Sequence, residues 1–330
     1  MGSETGVGTG TSSVRSRRYA GLLVGGLLPW AWFLVRDRLG VVTDVAAILL
    51  PLLAAGTALV VGLLGRRRRA LVAFAISTLL VGIVGTVVPW IPDGVGAVDT
   101  SRGVRIAAGN IGIGELDGAD NLLALKADVL VVSEIGPPLT GRLSQSYPEQ
   151  VHEWNGPAIG IFSRWPLEIL ERPGPDLPGF MLRVKAPSGD FDVIAVHVPR
   201  PWWTSGGSTY NSSTDNGASY QTTVAGHHRL IEQIALRVER AEQEHTPVVV
   251  TGDLNTTDRG RDYRVLTKHL DDAMLDRWGR PSEIGKWTAL MVRIDHLFVS
   301  PGWCADDSEW YPIPVSDHNG LAATIGPCRR

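Results

Sequence analysis

Pro247-Val248-Val249-Val250-Thr251-Gly252-Asp253-Leu254-Asn255-Thr256 is a β-branched run with a proline at its mouth, the pattern of a strand buried on both faces. It ends in a glycine, then an acid and an amide two positions apart. Side chains alternate across a strand, so Asp253 and Asn255 project to the same side if the extended conformation persists. Two oxygen-bearing side chains would then leave the carboxyl end of a hydrophobic strand together. Read alone, the stretch fits an Asx-rich turn after a core strand equally well. The remaining sequence has to decide.

The chain has 330 residues, 44% of them hydrophobic, with a mean hydropathy of +0.06. That is high for a soluble protein, and the excess sits in the first hundred residues. Residues 1–18, rich in Gly, Ser and Thr as far as residue 14, read as a disordered cytoplasmic N-terminus. Three apolar runs follow, Tyr19 to Val35, Val41 to Leu64 and Ala70 to Ile91. Each is close to the ~20 residues that cross a bilayer core, the first being the shortest. The first is long for a signal peptide, and Arg36-Asp37-Arg38 after it is no small-residue cleavage site. Residues 19–91 are thus expected to form a three-helix transmembrane anchor in the lipid bilayer.

Arg15, Arg17 and Arg18 precede the first run, and Arg66 to Arg69 separate the second from the third. Basic loops stay cytoplasmic, so the expectation is a multi-pass cell-membrane protein whose C-terminal portion lies outside the cytoplasm. Asp44 falls near a helix end, where snorkelling accounts for it better than an ion pathway. Without a buried charged network the segment reads as an anchor. Residues 92–102 read as a juxtamembrane linker and 103–330 as the catalytic domain. The first hundred residues carry a balance of +4 and the rest −7, which argues against nucleic-acid affinity resting on a generic basic surface. Cys304 and Cys328 lack metal-site spacing, which disfavours zinc held by thiolates. They can form a disulfide in an oxidising compartment.

The outer portion alternates strands with helical stretches. Val104 to Ile111 alternates as a strand, and Ala119 to Lys126 reads as helix. Asp128 to Glu134 is another buried strand that closes in an acid. Ala158 to Ser163 is a strand, and Met181 to Lys185 and Phe191 to Val198 flank the hairpin residues Pro187-Ser188-Gly189-Asp190. Residues 199–222 form a Ser/Gly/Asn/Thr loop with Trp202, Trp203, Tyr210 and Tyr220. Thr223 to Gln243 reads as an amphipathic helix with Leu230, Ile234 and Val238 on one face. A helix is also expected over Arg261 to Leu275, and strands over Val292 to Ser300 and from Ser316 onward. Asn110, Glu134, His197, Asp253, Asn255, Asp295, Asp317 and His318 therefore all fall at or near strand ends. Each has a plain alternative as a turn cap, a solvated strand end or a core histidine. Eight in one order resist that reading.

The stretches GNI, DVLVVSEI, GIFSRWPL, VIAVHVPRP, VVVTGDLNT, RIDHLFVS and SDHNGL resemble the ordered motifs of the endonuclease/exonuclease/phosphatase superfamily, the deoxyribonuclease I-like fold. The resemblance covers about residues 102–326 and extends to bacterial members with N-terminal membrane helices. It implies an α/β fold, a four-layered α/β sandwich of two packed mixed sheets flanked by helices, with the site at one edge. It also implies a phosphodiester hydrolase, foremost a nuclease. A lipid or inositol phosphodiesterase of the sphingomyelinase kind is the alternative, and a catalytically silent binding protein a third. No protein partner is expected.

In this resemblance Glu134 is the principal metal ligand, with Asn110 and Asp317 contributing directly or through water. All-oxygen ligation favours Mg²⁺ or Mn²⁺. Asp253 positions or deprotonates the attacking water, and Asn255 donates to phosphoryl oxygens. His318, oriented by Asp295, acts either as general base or as a cationic stabiliser, and His197 contacts phosphate or assists the leaving group. Lys286-Trp287-Thr288-Ala289 stands where the family often has a Thr-Trp-Pro-like element. His296 reads as a packing residue; His227 and His228 sit at a helix start where they could touch substrate, but they read better as a solvated face. Trp202 and Trp203 can stack on bases, dip into the membrane interface or form a hydrophobic lid.

Overall fold

The structure, a computed structural model, describes residues 10–38, 40–65, 67–93, 96–112, 116–201, 224–284, 288–314 and 316–329. The chain divides into two compact units, Met1–Val88 and Pro89–Arg330.

The first unit contains α1 (Gly10–Val35), α2 (Val41–Ile48), α3 (Leu50–Gly65) and α4 (Arg69–Val87). Among the described residues, only the helix running over the 22 residues Arg69–Trp90 is by itself long and apolar enough to cross a membrane. The second expected span is broken: Val42–Ile48 and Leu50–Gly65 meet at 86°. Pro51 causes the break, because it has no N–H for the Ala47 carbonyl and its ring crowds that oxygen. The apolar helix Tyr19–Val35 is shorter than a full span. In place of the three transmembrane helices expected, the described residues thus hold one candidate span, or two if the bent pair counts as one. α3 and α4 pack through small residues, since a Cβ on Gly82 would lie 2.3 Å from that of Ala54.

The second unit is built on twelve strands among the described residues. They are β1 (Val104–Asn110), β2 (Val129–Ser133), β3 (Glu149–Glu153), β4 (Ile159–Ser163), β5 (Leu167–Glu171) and β6 (Gly179–Ala186), then β7 (Gly189–His197), β8 (Val248–Asp253), β9 (Asp271–Asp272), β10 (Asp295–Val299), β11 (Trp303–Pro312) and β12 (Asn319–Pro327). Helices α5 (Ala119–Ala124), α6 (Pro137–Leu143), α7 (Val224–Gln243) and α8 (Arg261–Leu266) complete it. The strands form two mixed sheets, β11-β12-β1-β2-β4-β3 and β5-β6-β7-β8-β10-β9.

Strand alternation makes the layers. Ile106 and Ala108 of β1 and Val249 of β8 enter the core between the sheets, with Phe180, Phe191 and Leu297. Ala107 turns the other way, toward Leu122 of α5 and Leu139 of α6. Val248 and Val250 face Leu230, Ile234 and Val238 of α7. β8 is buried on both faces, which is why its sequence carries no polar alternation. Each such Val, Ile or Leu contributes about 1.5–3 kcal/mol of burial. The result is helices, sheet, sheet, helices. Cys304 of β11 is bonded to Cys328 just beyond β12. Ahead of β1, Val98 is fully buried and pairs with Cys328.

Two local expectations are corrected. The helix expected over Arg261 to Leu275 stops at Leu266. Asp271 and Asp272 instead pair with Val299 and Phe298, and Asp272 bonds the Arg293 guanidinium at 2.7 Å. His227 and His228 are not a solvated face either, since His227 is 2% exposed. Asp262 of α8 accepts from both rings, at 2.8 Å from Nδ1 of His227 and from Nδ1 of His228.

This clamp predicts a pH window. Burial would raise Asp262, but the hydrogen bonds from His227 and His228 hold it well below the usual carboxylate range. The bond to Asp262 raises His228 against its burial. A lowered acid contributes stability above its unfolded value of about 3.9 and loses it as pH falls through the folded value; a raised histidine contributes fully below about 6.5 and loses it as pH rises. Asp262→Asn should therefore lower the thermal midpoint most between about pH 4 and 6.5. A deficit that does not vary with pH, measured by calorimetry, would contradict this.

Candidate active site

The site lies where several strands end at one edge of both sheets. In the first sheet β1 and β2 run parallel with Asn110 beside Ser133, so Asn110 and the following Glu134 emerge together. In the second, β7 and β8 run parallel with His197 beside Asp253. β10 runs antiparallel to β8 and places Asp295 on the other side of Asp253. Adjacent strands are about 4.8 Å apart, so pairing alone lines up His197, Asp253 and Asp295. Asp317 and His318 precede β12, the neighbour of β1.

The Asn110 amide spans the gap between the sheets. Its Nδ2 donates to Glu134 Oε1 at 3.1 Å and to Asp253 Oδ2 at 3.0 Å. Nε2 of His197 lies 3.7 Å from Asp253 Oδ2 and 4.0 Å from Glu134 Oε1, while its Nδ1 meets the Pro157 carbonyl at 2.5 Å. His318 Nδ1 bonds Asp295 Oδ2 at 2.8 Å. The buried Nε2 of His318 has no hydrogen-bond partner and sits 4.0 Å from Asp253 Oδ2 and 3.9 Å from Asp317 Oδ1.

Burial by itself would lower the His318 pKa, but the Asp295 carboxylate beside it, helped by Asp253, pushes it up to about 10. Burial likewise raises Asp295, so the pair holds its proton. Burial also works to raise Asp253, yet His318, His197 and the Asn110 amide together lower it. The arrangement sets an ionised carboxylate beside an imidazolium.

All eight candidate residues are at this edge, but Asn255 is not where alternation would put it. The extended strand stops at Asp253, and Asn255 has φ +48°. Its backbone N–H bonds Asp253 Oδ1 at 3.0 Å and its Nδ2 donates to the Val198 carbonyl at 2.8 Å. Its Oδ1 is buried and unpartnered. Glu134 is also left-handed, at φ +57°. Such backbones cost about 1–3 kcal/mol each and concentrate at functional sites. Asp317 remains 47% exposed.

The tightest group of metal-ligating types among the described residues is Asp253, Asp295 and His318. Its nearest contact is the bond between Asp295 and His318, which a shared proton already satisfies. The oxygens of Glu134, Asn110 and Asp317 suit a hard cation better. Carboxylates outnumber cations at this edge, and Asn255 adds an oxygen without a donor.

The sequence reading missed several supports. Ser316 Oγ accepts from His318 N at 3.0 Å and donates to the Asn110 carbonyl at 2.7 Å. Ser282 Oγ takes the N–H groups of Ile294 and Asp295 at 2.7 and 3.0 Å. Arg200 lowers Asp253 electrostatically and lines a cavity of about 10 Å³ with Asn255, Asp317, Leu290, Val292 and Ile294. That is room for about one water. The Ser-Asp-His triplet was the only signal for Ser316. His296 packs as expected, stacked on Phe298 at 5.1 Å. Trp202, Trp203, Tyr210, Tyr220, Lys286 and Trp287 lie outside the described residues.

Residues 119–318 match the profile of the endonuclease/exonuclease/phosphatase family. Among solved structures, an endonuclease/exonuclease/phosphatase from Beutenbergia cavernae DSM 12333 is 18% identical, over 69% of this chain and 72% of its own, with a TM-score of 0.45. Humanized D. rerio TDP2 is 15% identical over 68% and 99%, with a TM-score of 0.48. Sphingomyelinase C from Streptomyces griseocarneus is 13% identical over 67% and 99%, with a TM-score of 0.45. No curated protein matches.

Gly252 tests how tightly the edge is built. It has φ +129°, and a Cβ there would lie 2.1 Å from the Val196 carbonyl oxygen on β7. Gly252→Ala should cost at least about 2 kcal/mol and displace Asp253. Denaturant unfolding midpoints check this, and a variant as stable as the parent would show that β7 and β8 can separate freely here.

Proposed function

Since the chain belongs to the endonuclease/exonuclease/phosphatase family, whose members hydrolyse phosphoester bonds, we propose that it is a divalent-metal-dependent phosphodiesterase tethered to the cell membrane. The carrying observation is the Asn110 amide bonded to Glu134 on one sheet and Asp253 on the other. Nucleic acid is the first substrate to test. The catalytic unit would lie outside the cytoplasm, a reading supported by the arginine distribution and by the Cys304–Cys328 disulfide.

A phosphodiester resists attack because its charge repels nucleophiles and its alkoxide leaves poorly. Glu134, with Asn110 and Asp317, would hold Mg²⁺ or Mn²⁺, which polarises a phosphoryl oxygen and offsets developing charge. Asp253, kept ionised, orients the attacking water and can take its proton. His318, kept protonated by Asp295, donates from Nε2 to a phosphoryl oxygen. His197 donates to the departing oxygen, and the second amide hydrogen of Asn255 is left for phosphate. A lipid phosphodiester is the second reading, favoured by the proposed tether, which would hold the site near a lipid surface.

Purified full-length protein assayed on plasmid DNA, RNA and sphingomyelin should act only with Mg²⁺ or Mn²⁺, and EDTA should abolish turnover. Glu134→Ala and His318→Ala should each lose at least ~100-fold. Full activity in EDTA would sink the metal assignment. Separately, protease added to intact cells should reach the C-terminal unit; cleavage only after permeabilisation reverses the orientation.

A further inference from the structure

The segment between the 3₁₀ turn Ala273–Asp276 and β10 turns large apolar side chains to solvent. Trp278 is 59% exposed, Ile284 42% and Met291 38%. Arg277 and Arg280, both exposed, flank Trp278. Interleaved tryptophan, aliphatic and arginine side chains suit the membrane interface, where rings sit at headgroup level and cations meet anionic lipid.

Backbone bonds hold this segment. Ile284 N donates to the Asp317 carbonyl at 2.8 Å, so an exposed isoleucine sits beside a candidate metal ligand at the mouth of the site. Met291, at φ +50°, gives its carbonyl to the buried Arg259 guanidinium at 2.9 Å. At the other end Gly279 N donates to the Trp90 carbonyl at 2.9 Å, and a Cβ on Gly279 would meet Trp90 at 3.1 Å. Trp90 is also the last residue of the apolar helix Arg69–Trp90. Within the second unit, this part of the chain therefore touches both the mouth of the site, at Asp317, and Trp90, where the chain arrives from its hydrophobic segment.

We infer that the described stretches 277–284 and 288–291 seat on the bilayer surface and bring the mouth at Asp317 and His318 to the headgroup layer, so that the enzyme takes phosphodiesters presented at a membrane surface. This rests on the tethered-hydrolase reading above and narrows its substrate class.

The chain's two cysteines are paired with each other, so a single added cysteine can be labelled alone. Trp278→Cys, Ile284→Cys and, as a control, Gln243→Cys at the exposed end of α7 would carry an NBD maleimide. The full chain would be reconstituted in vesicles of phosphatidylcholine and phosphatidylglycerol. Doxyl-labelled lipid should quench NBD at 278 and 284 at least about twofold and leave 243 unchanged. Absence of quenching at both overturns the inference. So does quenching at 278 alone, because the mouth would then stand clear of the lipid. Two parallel measurements keep the underlying reading separate. Release of the chain by alkaline carbonate would sink the tether, and failure of the parent protein to hydrolyse bis(p-nitrophenyl) phosphate would sink the hydrolase. Quenching decides the docking in either case.

Discussion

One side-chain amide holds two carboxylates from different sheets against their mutual repulsion. Both oxygens accept from Asn110 Nδ2, so they lie no more than about 6 Å apart, where two negative charges repel by about 3 kcal/mol at an effective dielectric of 20. Asp295 and Asp317 add to the burden. The fold answers it with His318 and His197, with Arg200 behind them, and by ending strands so that donors and acceptors meet. Such a crowd of oxygens is costly in an apo protein and is the environment a hard cation relieves. Function and strain are two aspects of the same edge.

The sequence revealed the parts of the fold where burial leaves a periodic mark. β8, β2 and β4 read as strands because both faces are covered, and α7 read as a helix because one face packs. The edge strands left little trace. β3, Glu149-Gln150-Val151-His152-Glu153, and β5, Leu167-Glu168-Ile169-Leu170-Glu171, carry exposed polar residues, which is how edges avoid pairing with other chains. β11 was missed for the same reason. The helix over residues 261–275 failed because tertiary demand outweighed local propensity: Asp272 is committed to Arg293. Asn255 was placed by assuming continued alternation, which a left-handed backbone ends. The identities of the eight site residues were legible from their order. Their distances, and the serines that hold them, were not.

Behind the site lies a second charged group with no opening to solvent. Arg293 is fully buried between Asp272 and Asp258, at 2.7 and 3.1 Å, and those carboxylates hold its pKa well up against burial. Arg259, spending its guanidinium on the Leu290 and Met291 carbonyls, is instead lowered by burial to about 10. Removing one member of such a buried pair leaves an uncompensated charge. Because Arg293 is two residues from Asp295, this cluster fixes the register of the strand that orients His318.

Trp90 carries a practical consequence. Its indole N–H donates to Asp258 and it is only 8% exposed, so the residue that ends the apolar helix is also a plug in the polar cluster beneath the candidate site. A soluble version trimmed at residue 100, the natural place to cut on hydropathy alone, would lose that plug along with Val98, which pairs with Cys328. The cut that preserves the interior of the second unit falls at Pro89, even though it leaves one hydrophobic turn on the excised product.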